Sequence, residues 1–387
     1  MEPNTGGPKT GGPNTGGPNT DGRVILLGCG DVGPLHPPVD AYSTLVQPVL
    51  AGADLRFAQC EKVYSTGGYM QVHSNGHYSR QPPEMATVFA DCGFDIVSVA
   101  GNHAMDWGGE ALLDTITLMN RMGIATVGGG HDIDEARRPV IFDKNGVRVG
   151  FLGYSSVLRD GYAATRQASG VAPMRAHAFY ASQEYQPGPP PKVITIPDQA
   201  DLNAFCDDIT KLRDEVDVVI VSLHWGIHII PKVLADYERV VARAAFDHGA
   251  DLILGHHPHI PKGIEVFGDK VCFYSLSHFI FSQRELSNHV DGHTGGNRYG
   301  VEQDPDYPRL PFGKDGKRSL IARAEITKRG IERVSFLPVI IDTQLRPEVL
   351  LSSDPRFAEA VEYLDWASEE LPHTFKVEGD EVVVLPA

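Results

Sequence analysis

The chain has 387 residues, 42% hydrophobic and 22% charged, ordinary proportions for a globular protein of one large domain or two modest ones. A formal net charge of −16 argues against nucleic acid and anionic lipid headgroups as general partners. It leaves room for a small anionic substrate, because bound cations dominate the field of a metal site.

Residues 1–22 repeat a Gly-Gly-Pro-Asn-Thr unit, with one Lys variant. Nothing in it can be buried, and it reads as a disordered tail. The N-terminus has neither the basic segment nor the apolar core of a signal peptide, and no apolar run reaches the roughly 18 residues of a spanning helix. The five cysteines are odd in number and include no C-x-x-C pair, which disfavours a disulfide framework or a zinc finger and fits a reducing compartment. A cytoplasmic protein with no membrane partner is expected. Oligomeric state is not legible.

From Arg23 the pattern changes. Val24–Cys29 reads as a buried strand that delivers Asp31 at its C-terminal end. The same arrangement recurs four times. Leu55–Ala58 leads to Gln59-Cys60-Glu61, and Ile96–Ala100 leads to Gly101-Asn102-His103. Val218–Leu223 leads to His224, and Leu252–Leu254 leads to Gly255-His256-His257-Pro258-His259. Between them, Pro83–Asp91, Glu110–Met122, Asp201–Arg213 and Val233–His248 have helical spacing. Strands alternating with helices predict an α/β layered fold, whose ligands gather at the carboxyl ends of the strands.

Two long loops interrupt the pattern, one near residues 155–200 with a proline-rich stretch and one at 284–317. The expected domain therefore runs over 23–345. Within it Leu320–Ile326 and Ile331–Ile341 form a β-pair. The last segment, 346–387, supplies a helix over Pro355–Ala367 and a tail that packs on the domain.

The strand ends carry the chemistry. His257-Pro258-His259 sets two imidazoles one residue apart on a stiffened loop, a weak signal alone. Its weight comes from the carboxylates, the amide and the further histidine at the neighbouring strand ends. Hard oxygens mixed with imidazoles suit Mn, Fe, Co or Zn better than Ca. His103 follows the ligand candidate Asn102 too closely to reach the same ion easily, so it is better placed to protonate a leaving group. Asp106, three residues on, is positioned to hold its tautomer. The bland alternative makes Asn102 a helix cap and His103 a turn residue.

These blocks, with Phe273-Tyr274-Ser275-Leu276, resemble those of the CapA/PgsA capsule-biosynthesis proteins, which are linked to poly-γ-glutamate. That family is a branch of the calcineurin-like metallophosphoesterases. The likeness runs in order from about residue 23 to about 340. It implies a four-layer αββα sandwich with two divalent ions, Mn, Fe or Zn, that activate water as metal-bound hydroxide. Carried over, Asp31 and His259 hold one ion, Asn102, His224 and His257 the other, and Glu61 bridges them.

This chain departs from the pattern in three places. Asp31-Val32-Gly33 stands where most metallophosphoesterases have Asp-x-His, so the Asp31-side ion is expected to bind more weakly. His36 offers a replacement imidazole only after a loop excursion. Ser277-His278 replaces the usual Gly-Asn, and Ile227-His228 stands where Glu is common. His278, His228 and Arg159 on the first long loop are therefore substrate-binding candidates. The leading expectation is a hydrolase of a small phosphoester. The alternatives are an amide hydrolase acting on a γ-glutamyl or peptide-like bond, and a non-catalytic accessory protein of polymer synthesis or export.

Overall fold

A computed structural model describes residues 22–74, 78–185, 188, 191–283 and 302–387. Two sheets form its centre. The larger has ten strands, eight of them in the order Thr374–Glu378, Glu381–Leu385, Gly330–Ile341, Arg318–Thr327, Val24–Gly33, Leu55–Cys60, Ile96–Ser98, Ala125–Val127, with Pro347–Val349 paired to Gly330–Ile341 off this path. The short strand His278–Phe281 pairs in parallel with the end of Val24–Gly33, setting His278 opposite Asp31. The smaller sheet has six strands, Ile264–Phe267, Lys270–Phe273, Leu252–His256, Val218–His224, Val147–Ser155 and Val140–Lys144.

The strands that deliver the candidate residues are parallel within each sheet. Such strands are covered on both faces, which explains continuous apolar runs such as Val218–Leu223 with every residue buried. Phe57, Leu26 and Ile96 of the large sheet meet Phe151, Ile220 and Leu254 of the small one in an inner core. The helices Thr87–Asp91 and Gly108–Arg121 cover the outer face of the large sheet. Gln199–Arg213 and Asp236–Asp247 cover the outer face of the small one. The order of layers is αββα, as the family resemblance implies.

Phe57 and Phe151 stack across the inner core with ring planes 1° apart and centroids 6.0 Å apart. Phe57→Ala should lower the unfolding free energy by about 3–5 kcal/mol. A urea midpoint that falls at unchanged slope would register this.

The sequence misreads two segments. The stretch 155–200 is not loop throughout, since Ala176–Ala181 and Lys192–Pro197 pair as an antiparallel hairpin. Its apolar, β-branched residues are strand formers, but the prolines between the two arms mask them. The C-terminal tail likewise does more than pack on the domain. After the helix Pro355–Ser368, the strand Glu381–Leu385 pairs with Gly330–Ile341 and extends the large sheet. Of the second predicted loop, 284–301 lies outside the described residues, as do residues 1–21 of the tail.

Candidate metal centre

The two sheets bring their candidate strand ends to one place. The large sheet contributes Asp31 near the end of its strand, Glu61 directly after Leu55–Cys60, and Asn102 after Ile96–Ser98. The small sheet contributes His224 and His256 as the last residues of their strands, with His257 and His259 following. Close backbone packing makes this convergence work. A Cβ on Gly30 would lie 2.2 Å from the Ser277 carbonyl, and one on Gly255 would lie 2.2 Å from that of Tyr274. Only glycine fits at either position.

His257 and His259 turn their side chains through left-handed backbone, with φ of 98° and 56°. Non-glycine residues avoid that region, and such strain collects at functional sites.

Asp31, Glu61 and His224 present ligand atoms within 4.8 Å of one another. Glu61 lies between two imidazoles, with Oε1 3.6 Å from His259 Nε2 and Oε2 3.8 Å from His224 Nε2. Asn102 Oδ1 is 3.0 Å from His224 Nε2. His259 Nδ1 lies 3.4 Å from Asp31 Oδ2, which also accepts the His257 backbone N–H at 3.4 Å. The His257 ring stands 5.0 Å from that of His224. All six predicted ligands thus fall in one cluster.

The electrostatics of that cluster suit a cation. Asp31 and Glu61 are 0% and 1% exposed, and neither Glu61 oxygen has a hydrogen-bond partner among the described residues. Burial raises Asp31 above the usual carboxylate range, against the pull of His256. Burial, and then repulsion from Asp31, raises Glu61 well above it. The adjacent Lys62 is pushed down to about 7 by burial, and its ammonium is spent on the Ser282 carbonyl at 3.0 Å. Burial also holds His224, His257 and His259 well below the ordinary imidazole range, aided by the surrounding imidazoles. They are therefore neutral, the form that ligates metal. A buried carboxylate without donors among the described residues, Glu61, beside a second buried carboxylate and neutral imidazoles fits divalent ions.

His103 stands at the edge of this cluster, with its side chain 28% exposed. Its Nδ1 donates to Asp106 Oδ2 at 2.6 Å. Burial alone would raise Asp106, but hydrogen bonds from His103, Tyr162 and Ser74 hold it below its ordinary value. It is an ionised anchor for the imidazole.

The three substrate candidates separate. His228 stacks on His257, with centroids 4.9 Å apart and planes 19° apart, and lies 5.2 Å from His259. His278 is fully buried, 5.6 Å from His259 and 5.4 Å from Phe312. Burial drives it down to about 3 despite the nearby carbonyls of His259 and Gly316. It packs behind a ligand and is closed to solvent. Arg159 is exposed and donates to the His73 carbonyl, on a segment whose His73 ring lies 5.5 Å from Tyr162. It belongs to the rim on the His103 side, outside the ligand cluster. His36 ends 3.4 Å from the Gln283 carbonyl.

Three contributors are missing from the sequence reading. His256, fully buried, brings Nδ1 to 3.2 Å from Asp31 Oδ1, and the run of three histidines around Pro258 was its signal. Phe312 stacks on His259 with planes 13° apart, and Tyr162 reaches Asp106. Neither had a local signal, because each arrives on a distant loop.

The layered αββα sandwich, with carboxylates and histidines gathered at its strand ends, defines an α/β protein with a candidate metal centre between its two sheets. Residues 29–283 match the bacterial capsule synthesis protein PGA_cap family, and the chain belongs to it. It is 30% identical to the PGA biosynthesis protein CapA of Bacillus subtilis over 327 residues, covering 84% of this chain and 74% of that one. It is 29% identical to the capsule biosynthesis protein CapA of Bacillus anthracis, covering 56% of this chain and 46% of the other. Among solved structures, a Staphylococcus aureus protein named as a proposed 5'-nucleotidase aligns with a TM-score of 0.43 at 12% identity, over 89% of this chain and 58% of that one.

Proposed function

We propose that this chain is a dinuclear metal-dependent hydrolase of a small phosphoester. The observation that carries this reading is Glu61, buried with neither oxygen given a donor among the described residues and one oxygen turned toward each half of the imidazole cluster. In this reading Asp31 and His259 would hold one ion and Asn102, His224 and His257 the second, with Glu61 shared between them. Divalent ions held there would supply Lewis acidity and lower the pKa of water toward neutrality.

The protein's own part follows from its geometry. Asp106 fixes His103 through Nδ1, which leaves Nε2 to carry the proton for the leaving-group oxygen. Burial of Asp31 and Glu61 keeps bulk water away from the charged centre and strengthens every interaction within it. His228, stacked against His257, would meet the substrate in this reading. The partner is a small anionic molecule. The five cysteines, all buried and free, support action in a reducing compartment. Among the described residues no helix is long and apolar enough to cross a membrane.

A second reading, cleavage of a γ-glutamyl-type amide, is favoured by the capsule and PGA biosynthesis named for the relatives. A hydrolysis screen of phosphomonoesters, phosphodiesters, esters and γ-glutamyl amides decides between them. Amide cleavage without phosphoester cleavage would reverse their order. Inactivity on all of them would favour an accessory role.

Metal binding has its own readout. Titrating Mn²⁺ or Zn²⁺ into chelator-treated protein should raise the melting temperature, with about 2.7 kcal/mol of stabilisation at 100 times the dissociation constant. A melting curve indifferent to either ion, with no metal retained after dialysis, would remove the basis for both hydrolase readings.

A further inference from the structure

Tyr162 lies on the long connection that leaves the small-sheet strand Val147–Ser155, yet its ring is packed with Ala104 and Met105 in the core on the large-sheet side. It is 1% exposed. Its hydroxyl donates to Asp106 Oδ1 at 2.6 Å, while the other oxygen of the same carboxylate accepts from His103 Nδ1 at 2.6 Å. Asp106 is thereby gripped from both sides by short, charge-assisted hydrogen bonds, which fix the plane of a carboxylate as well as its position.

The backbone around Tyr162 is tied down independently. Its N–H donates to the Arg159 carbonyl at 3.1 Å, and its carbonyl accepts from Val171 at 3.0 Å. Ala172 donates to the Gly128 carbonyl at 3.0 Å, fastening the connection to the turn after Ala125–Val127. The hydroxyl is therefore presented by an anchored segment.

We infer that Tyr162 is a positioning residue for proton delivery: it locks the Asp106 carboxylate, which orients the His103 imidazole toward the leaving group. This rests on the role given above to His103. The hydroxyl is buried and bonds to Asp106 and Ser74, so its effect on His103 passes through the Asp106 carboxylate. A general acid matters most where the departing oxygen is a poor leaving group. Loss of a supporting partner that loosens the acid should therefore show selectively on such substrates.

The test compares Tyr162→Phe, which keeps the packed ring and removes only the hydroxyl, with the parent and with Asp106→Asn and His103→Ala. With p-nitrophenyl phosphate and an alkyl phosphate as probes, Tyr162→Phe should lower kcat on the alkyl ester by about 10-fold, the low end of what losing an outer-sphere partner costs. It should leave the nitrophenyl ester within about 2-fold, since that departing oxygen needs little help from an acid. KM and bound metal should stay unchanged. Equal losses on both esters would overturn the inference, as would no loss on either while His103→Ala is impaired. If His103→Ala loses nothing, the fault lies with the role of His103.

A second measurement needs no turnover. The hydrogen-bonded Nδ1–H of His103 should give a downfield proton resonance that vanishes in Asp106→Asn and shifts in Tyr162→Phe. A resonance at the parent position in Tyr162→Phe would equally overturn the proposal.

Discussion

Glu61→Gln should weaken metal binding by at least about 10²-fold, the upper end of what loss of a mere outer-sphere partner costs, and hydrolysis should fall with it. The substitution keeps the shape of the side chain and removes the charge that faces both His259 and His224. Its effect on stability should depend on metal. In metal-free protein Glu61 is a buried carboxyl raised by burial and by Asp31, so its neutral replacement should melt higher than the parent. With metal present, the parent should melt higher. Two melting curves per protein, with chelator and with Mn²⁺, check both signs.

The pH dependence follows from the same shifts. Asp31 and Glu61 have folded-state values above those of the unfolded chain, so the native metal-free protein keeps protons that the unfolded chain releases. Their stabilising contribution is complete below the ordinary carboxylate range and is lost as pH rises through the raised values. Metal-free parent should therefore lose stability across that interval, and Glu61→Gln should lose less. Parallel pH curves for the two would contradict the burial account.

His103→Ala should reduce turnover by about 10²–10⁴-fold, the range for loss of a positioned acid or base. Metal content should be unaffected, because the imidazole is engaged by Asp106 and lies beside the ligand set. Stoichiometric metal analysis beside steady-state kinetics separates this from loss of the centre. Undiminished activity with full metal would assign proton delivery elsewhere, with His228, stacked on His257, the next group to substitute.

What the sequence reveals and conceals has a physical pattern. Asp31, Glu61, Asn102, His224, His257 and His259 are legible because parallel strands advertise themselves as apolar runs, and each run ends at a metal-capable side chain. His256 is harder to read. It is still within its strand, where the bland expectation is a packed residue, and only the sheet-to-sheet contact with Asp31 shows its second aspect. Tyr162 and Phe312 are invisible in the sequence because their neighbours are set by tertiary closure of long connections. The hairpin inside 155–200 and the C-terminal strand were missed for another reason. Prolines and a polar surrounding outweighed short alternating segments whose pairing partners are not visible from sequence.

The division of the centre between the sheets has a mechanical consequence. Asp31, Glu61 and Asn102 come from one slab, and His224, His257 and His259 come from the other. Without a cation, the rim of the sandwich at the strand ends brings two crowded carboxyls of one slab against neutral imidazoles of the other, groups that attract one another little. Ions there would act as rivets across that rim, while aromatic stacking such as Phe57 on Phe151 holds the interior shut. Opening should therefore begin as a gape at the chemical end. Amide hydrogen exchange near His224 and His257 should slow on metal addition far more than exchange around Phe151.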